Sequence, residues 1–152
     1  MSGPIFGACG APAHSAGLHF IGRVRTPFAT LADCPKNPLE GQVEATLEVD
    51  DRYAAGLEGI EKFSHLIVLY WMDEARRDLV QLQPRHLDAP RGVFALRSPA
   101  RPNPVSLCVV ELLRVEGTRL TIKGIDCRDG TPLIDIKPYF ASTDSVPHAR
   151  RP

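Results

Sequence analysis

A chain of 152 residues, 43% hydrophobic and 24% charged, buries a single core without disulfide or metal staples. Its 18 Lys+Arg balance 18 Asp+Glu, which excludes a uniformly basic nucleic-acid binder and leaves open one whose charge is segregated onto one face. Cys9, Cys34, Cys108 and Cys127 form no C-x-x-C pair and none lies near a histidine at zinc spacing, so free thiols and no metal centre are expected.

Residues 1–17 are rich in Gly, Ala, Pro and Ser without periodicity and read as a loose leader, with neither a basic start nor an apolar run. No later stretch approaches transmembrane length, so the expected setting is the cytoplasm. Residues 19–24 read as a first strand. Residues 26–41 carry three prolines and form a long loop. Val43, Ala45, Leu47 and Val49 alternate with polar residues, the period of a strand with one wet face. Asp50 and Asp51 stand where they would cap a short helix over 52–57, closed by Gly59. Residues 64–72 are nearly all apolar and predict a central strand buried on both faces. Residues 73–82 are expected to form a short helix. Five prolines between Gln83 and Pro104 leave mostly stiff loop, with a short strand at 92–96. Strands over 105–115 and 120–125 follow, joined at Glu116–Gly117, and a last strand runs 133–137 after the Asp129–Gly130 turn.

Six or seven strands with short helices predict a mainly β fold, a barrel or curled sheet. No G-x-G-x-x-G or P-loop is present, and the long helices of a doubly wound sheet are missing. Serine-hydrolase, zincin and zinc-deaminase motifs are absent as well. Three segments stand out. GVFALRSPARPNPVSL places Arg97 and Arg101 four apart in a proline-stiffened loop beside Asn103; by spacing alone, a rigid connector with solvated arginines fits as well. DCRDGTPLIDIKPY puts Asp135 and Lys137 on one strand face with Tyr139 beyond, either a pocket mouth or an exposed ion pair at an edge strand. EKFSHLIVLYWMDE holds His65, which reads as a hydrogen-bonded structural residue beside a core strand, and Tyr70 and Trp71, either core residues or a stacking platform.

Together KFSHLIVLYW, GVFALRSPARPNPVSL and DCRDGTPLIDIKPY resemble the signature blocks of the TsaA-like family, over roughly residues 19–147. The domain is therefore placed at 18–147, between the leader and a short tail at 148–152. The resemblance implies a single-sheet β-barrel that binds S-adenosyl-L-methionine without a Rossmann domain. It implies a homodimer, and methylation of N6 on a threonylcarbamoylated adenosine beside the tRNA anticodon. A methyltransferase acting on a small acceptor, or a non-catalytic module binding the same cofactor, are the alternatives. The long strand at 105–115 is read as an edge that would pack against a second copy.

By the same resemblance, Arg97, Ser98 and Leu107 border the cofactor. Asp126, Cys127, Arg128, Asp129 and Gly130 match the strand end and turn that hold its polar groups, and Pro38, Leu39 and Glu40 match a loop that closes over it. Asp73 and Glu74 stand where many members have His-Gln. Arg101, Asn103, Asp135, Lys137 and Tyr139 match the core of the two motifs and are the candidate catalytic set. The usual R-P-N-P-I-G reads Arg101-Pro102-Asn103-Pro104-Val105-Ser106 here.

Overall fold

In the computed structural model the described residues are 4–5, 15–37 and 42–152. Among the described residues nine strands form two sheets: β1 (Pro4–Ile5), β2 (Gly22–Arg25), β3 (Glu44–Val49), β4 (His65–Trp71), β5 (Gln81–Leu82), β6 (Arg91–Gly92), β7 (Val105–Glu116), β8 (Arg119–Lys123) and β9 (Thr131–Pro138). Six of them close an antiparallel barrel in the order β2-β3-β8-β7-β4-β9, with β2 pairing β9 to seal it. The expected mainly β barrel is what the chain forms. The other three, β1, β5 and β6, make a small sheet beside it. Helical structure is short: 3₁₀ turns at Leu31–Asp33, Asp51–Leu57, Ile60–Lys62 and Val93–Ala95, and one α-helical turn, α1 (Ala141–Asp144). No helix among the described residues is long and apolar enough to cross a membrane.

Period-two patterning explains the core. Ala45, Leu47 and Val49 of β3, Leu66 and Val68 of β4, Cys108 and Val110 of β7 and Leu120 and Ile122 of β8 all point inward and are buried. Gly22 lets β2 lie against β3: a Cβ built there would sit 1.9 Å from the Glu48 carbonyl oxygen. The turn at Gly130 needs glycine for a different reason, a backbone φ of 80°.

Five local expectations are corrected. β4 is not buried on both faces. In a closed barrel only one face meets the core, so Leu66, Val68 and Tyr70 are buried while Ile67, Leu69 and Trp71 are half-covered on the outer wall. β7 is not an edge, because β4 and β8 flank it. Residues 73–82 form turns leading into β5 rather than a helix. Arg76 there grips Asp78 two residues on, at 2.6 and 3.0 Å, and its carbonyl accepts from the Arg101 amide; of its side chains only Leu79 is buried, too little for a helical stripe. The strand at 92–96 shrinks to β6 followed by a 3₁₀ turn, because the Val93 and Leu96 carbonyls are taken by the Arg101 side chain instead of a ladder. The 52–57 segment is likewise 3₁₀, and Asp50 makes no side-chain cap.

Candidate functional site

Where β4 ends and β7 begins, the barrel mouth opens into a cavity of about 960 Å³, the upper part of the range for small-molecule sites. Four pieces of chain surround it. Cys34–Asn37 come from the long loop, Arg97–Pro99 and Arg101 from the proline-rich loop, Val105–Val109 from β7, and Asp126 and Arg128 from the β8–β9 linker. Arg151, from the segment read as tail, also reaches the lining. A recess of about 80 Å³ shares Leu31, Met72, Pro99 and Arg128 with the cavity and adds Asp73 and Glu74.

Arg101 holds the proline loop in shape. Its Nε donates to the Ser98 carbonyl at 2.7 Å, and its Nη2 donates to the Val93 carbonyl at 2.8 Å and to that of Leu96. Three carbonyls that a proline-rich segment cannot offer to a sheet are thereby satisfied by one planar fork. Arg97, exposed, leans on the Leu107 carbonyl at 3.5 Å and faces the cavity. Arg128 is drawn toward Glu74 at 3.3 Å and Asp73 at 3.6 Å.

Beneath these lies a buried polar cluster. The Tyr70 hydroxyl donates to Asp126 Oδ1 at 2.8 Å, and the Cys108 thiol lies 3.2 Å from the phenol oxygen. Burial, reinforced by Cys108 and Asp126, pushes the phenol ionisation far above its ordinary value. Burial raises the Cys108 thiol to about 11 and the Cys127 thiol to about 12. Cys34 is also raised, again mainly by burial. None of these thiols is an activated nucleophile.

The structure thus brings together Arg97, Ser98, Arg101, Leu107, Asp126 and Arg128, with Asp73 and Glu74 in the adjoining recess. It places the others elsewhere. Cys127 is in the core at 1% exposure. Asp129 accepts the Thr26 amide at 3.1 Å and lies 3.7 Å from Arg25, and Gly130 makes the turn. Asn103 faces Arg77. Asp135 and Lys137 pair with each other at 3.0 Å on β9, opposite Leu69 and Ile67, and Tyr139 packs edge-on to His65. These last three lie toward the end of β9 remote from the cavity and do not line it. Pro38, Leu39 and Glu40 lie outside the described residues. Sequence reasoning missed Tyr70 and Cys108 as site residues. A signal was available: a tyrosine in the inward register of an otherwise aliphatic strand must find a partner for its hydroxyl.

Among the described residues that line the cavity, the chemistry on offer is one carboxylate, Asp126, with Lys36, Arg97, Arg101, Arg128 and Arg151, against an apolar wall that includes Leu31, Met72, Pro99 and Leu107. That combination suits a ligand with an anionic end, a cationic centre and a flat or apolar body.

Comparison with known proteins fits this arrangement. The chain is 47% identical over 126 residues to an S-adenosyl-L-methionine-binding protein of Archaeoglobus fulgidus, covering 83% of this chain and 91% of that protein. It is 39% identical to a putative S-adenosylmethionine-dependent methyltransferase, RcsF, of Pseudomonas aeruginosa, over 85% of this chain and 57% of that one. The crystal structure of TrmO from P. aeruginosa superposes with a TM-score of 0.77 at 35% identity, over 94% of this chain; the chain spans 63% of that protein's length. The profile of the tRNA-methyltransferase O N-terminal domain matches residues 23–145, so the chain belongs to this family, the TsaA-like family its motifs resemble.

Proposed function

We propose that the chain is an S-adenosyl-L-methionine-dependent methyltransferase that acts on tRNA, methylating N6 of threonylcarbamoyladenosine beside the anticodon. The observation that carries the cofactor part is the Asp126 carboxylate sharing a cavity with guanidinium groups and an apolar wall. S-adenosylmethionine has a carboxylate, two cationic centres and an adenine ring, and each has a counterpart here. Arg97 suits the carboxylate by charge and fork geometry, Asp126 suits a cation or hydroxyl donor, and Leu107 and Met72 suit the base. When bound, the cofactor supplies a methyl group already activated on a sulfonium. The protein's own task is then alignment, exclusion of water and a stiff frame, and the Arg101 clamp supplies the last of these. The basic residues at the mouth, Lys36, Arg97 and Arg151, suit a phosphate backbone although the chain carries no net charge. The names of relatives as S-adenosylmethionine-binding proteins favour a second reading, a binding module without turnover.

Incubation with methyl-labelled S-adenosylmethionine and bulk tRNA separates the two. We expect label in tRNA that carries threonylcarbamoyladenosine, none in tRNA lacking it, and tRNA affinity that falls as salt rises. Cofactor binding with no label in any RNA would leave the binding module standing. Label in a small acceptor alone would move the substrate assignment there.

We place the barrel domain at residues 18–147, with Arg151 of the tail reaching its cavity, in the cytoplasm and as a homodimer. The outer face of β7 exposes Val105, Leu107, Val109 and Leu113, each 38–44% accessible, a row of hydrocarbon suited to a second copy. Sedimentation at micromolar concentration is expected to give twice the 16.7 kDa chain mass. A monomer at all concentrations would remove this part of the proposal.

A further inference from the structure

The inward face of β4 is hydrocarbon until its end. Leu66 and Val68 are fully buried, and Tyr70, 3% exposed, then introduces a hydroxyl. That hydroxyl has one proton, and it goes to Asp126 Oδ1 at 2.8 Å. In the 3.2 Å contact between Tyr70 and Cys108 the thiol is therefore the donor, and its sulfur is also 3.7 Å from Oδ1. The phenol thus holds Oδ1, and the thiol, with its single proton on the phenol oxygen, backs it from behind. Among the described residues Oδ2 takes no hydrogen bond or ion pair, and it is not a buried orphan, so it is open to the cavity that Asp126 lines.

This is an unusual state for a carboxylate in a cavity that also holds Lys36, Arg97, Arg101, Arg128 and Arg151. Two arrangements bear on it. Asp73 and Glu74 occupy Arg128, and Tyr70 anchors Asp126 from below.

We propose that Tyr70 is a positioning residue: the buried phenol, backed by the Cys108 thiol, fixes Asp126 so that one oxygen is held and the other is presented to the cavity as receptor for the ligand's cationic centre. The inference rests on the reading of the cavity as an S-adenosylmethionine site. That ligand has two cationic centres, an ammonium and a sulfonium. S-adenosylhomocysteine keeps the first and lacks the second, so comparing the two ligands tells which one Asp126 receives.

The test is calorimetric titration of the whole chain with each ligand, for wild type, Tyr70→Phe, Asp126→Asn and the double variant. Tyr70→Phe keeps the ring and its packing and removes only the donor. We expect it to weaken S-adenosylmethionine binding about tenfold, the weight of one hydrogen bond to a charged group. Asp126→Asn is expected to weaken it at least as much. The double variant should bind no worse than Asp126→Asn alone, because the phenol acts only through that carboxylate. A loss confined to S-adenosylmethionine assigns the sulfonium; an equal loss for both ligands assigns the ammonium. Tyr70→Phe binding like wild type, or losses that multiply in the double variant, would overturn the proposal and leave Tyr70 as packing. Should Tyr70→Phe not fold, Cys108→Ala with Asp126→Asn forms the same cycle, read the same way. Wild type that fails to bind at millimolar ligand overturns the cofactor reading itself, whereas wild-type binding with unaffected variants overturns only the role of Tyr70.

Discussion

Gly22→Ala is expected to cost the fold about 3 kcal/mol or more, the upper range for overpacking a core. The atoms that a Cβ would meet are the Glu48 carbonyl oxygen at 1.9 Å and the Glu48 carbonyl carbon and Val49 Cα at 2.9 Å. All are backbone, so no side chain can rotate out of the way. β2 would have to move off β3, and the same strand also carries the seam to β9 through Gly22 opposite Leu133 and Val24 opposite Thr131. At roughly 3 °C per kcal/mol for a chain of this size, the melting temperature should fall by about 10 °C. Gly56→Ala and Gly92→Ala are the controls, because a Cβ at either meets nothing within 4 Å. A melting temperature for Gly22→Ala within about 2 °C of wild type would contradict the close approach of these strands.

Arg101→Lys gives the second large effect, and it separates two accounts of that residue. As a clamp, the guanidinium satisfies the carbonyls of Val93, Leu96 and Ser98 at once. An ammonium presents a point charge and cannot reproduce the planar fork, so the substitution is not conservative. With hydrogen bonds from a charged donor worth about 1.5–3 kcal/mol each, and one of the three retained by lysine, the loss should be about 3–6 kcal/mol. Arg97 and Ser98 ride on this loop, so the cavity wall should loosen with it. Limited proteolysis should cut between 93 and 104 in the variant and not in wild type. A loop as resistant as wild type, with ligand binding lost, would instead make Arg101 a group that touches the ligand.

The contrast shows which information lies in local sequence. Period two marks β3, and turn signals bound β7, β8 and β9, so the bounds read for all four fall within about two residues of those observed. β4 was located but its outer face was misjudged, because a run of Ile67, Leu69 and Trp71 has the same composition whether it is covered by another layer or forms an outer wall. The turns at 73–82 were read as a helix because Arg101 and Arg128, which claim that segment's polar groups, come from far along the chain. The site divides similarly. Motif resemblance pointed to Arg97, Ser98, Leu107, Asp126 and Arg128, which the fold gathers around one cavity. Asp135 and Lys137 were correctly given one face, but periodicity does not say which face, and theirs is the outer wall. Tyr70 was hidden as one aromatic among several until its register on β4 was known.

Closure of the barrel also governs how it can be made. β9 pairs with both β2 and β4, and it is the last strand of the barrel in chain order. A chain that has assembled β2, β3, β4, β7 and β8 therefore carries two open strand edges for as long as β9 is undocked. Those edges are templates for pairing with another chain. The interval before β9 docks is the period of greatest exposure to misassembly, and substitutions that slow its docking should lower the yield of folded protein.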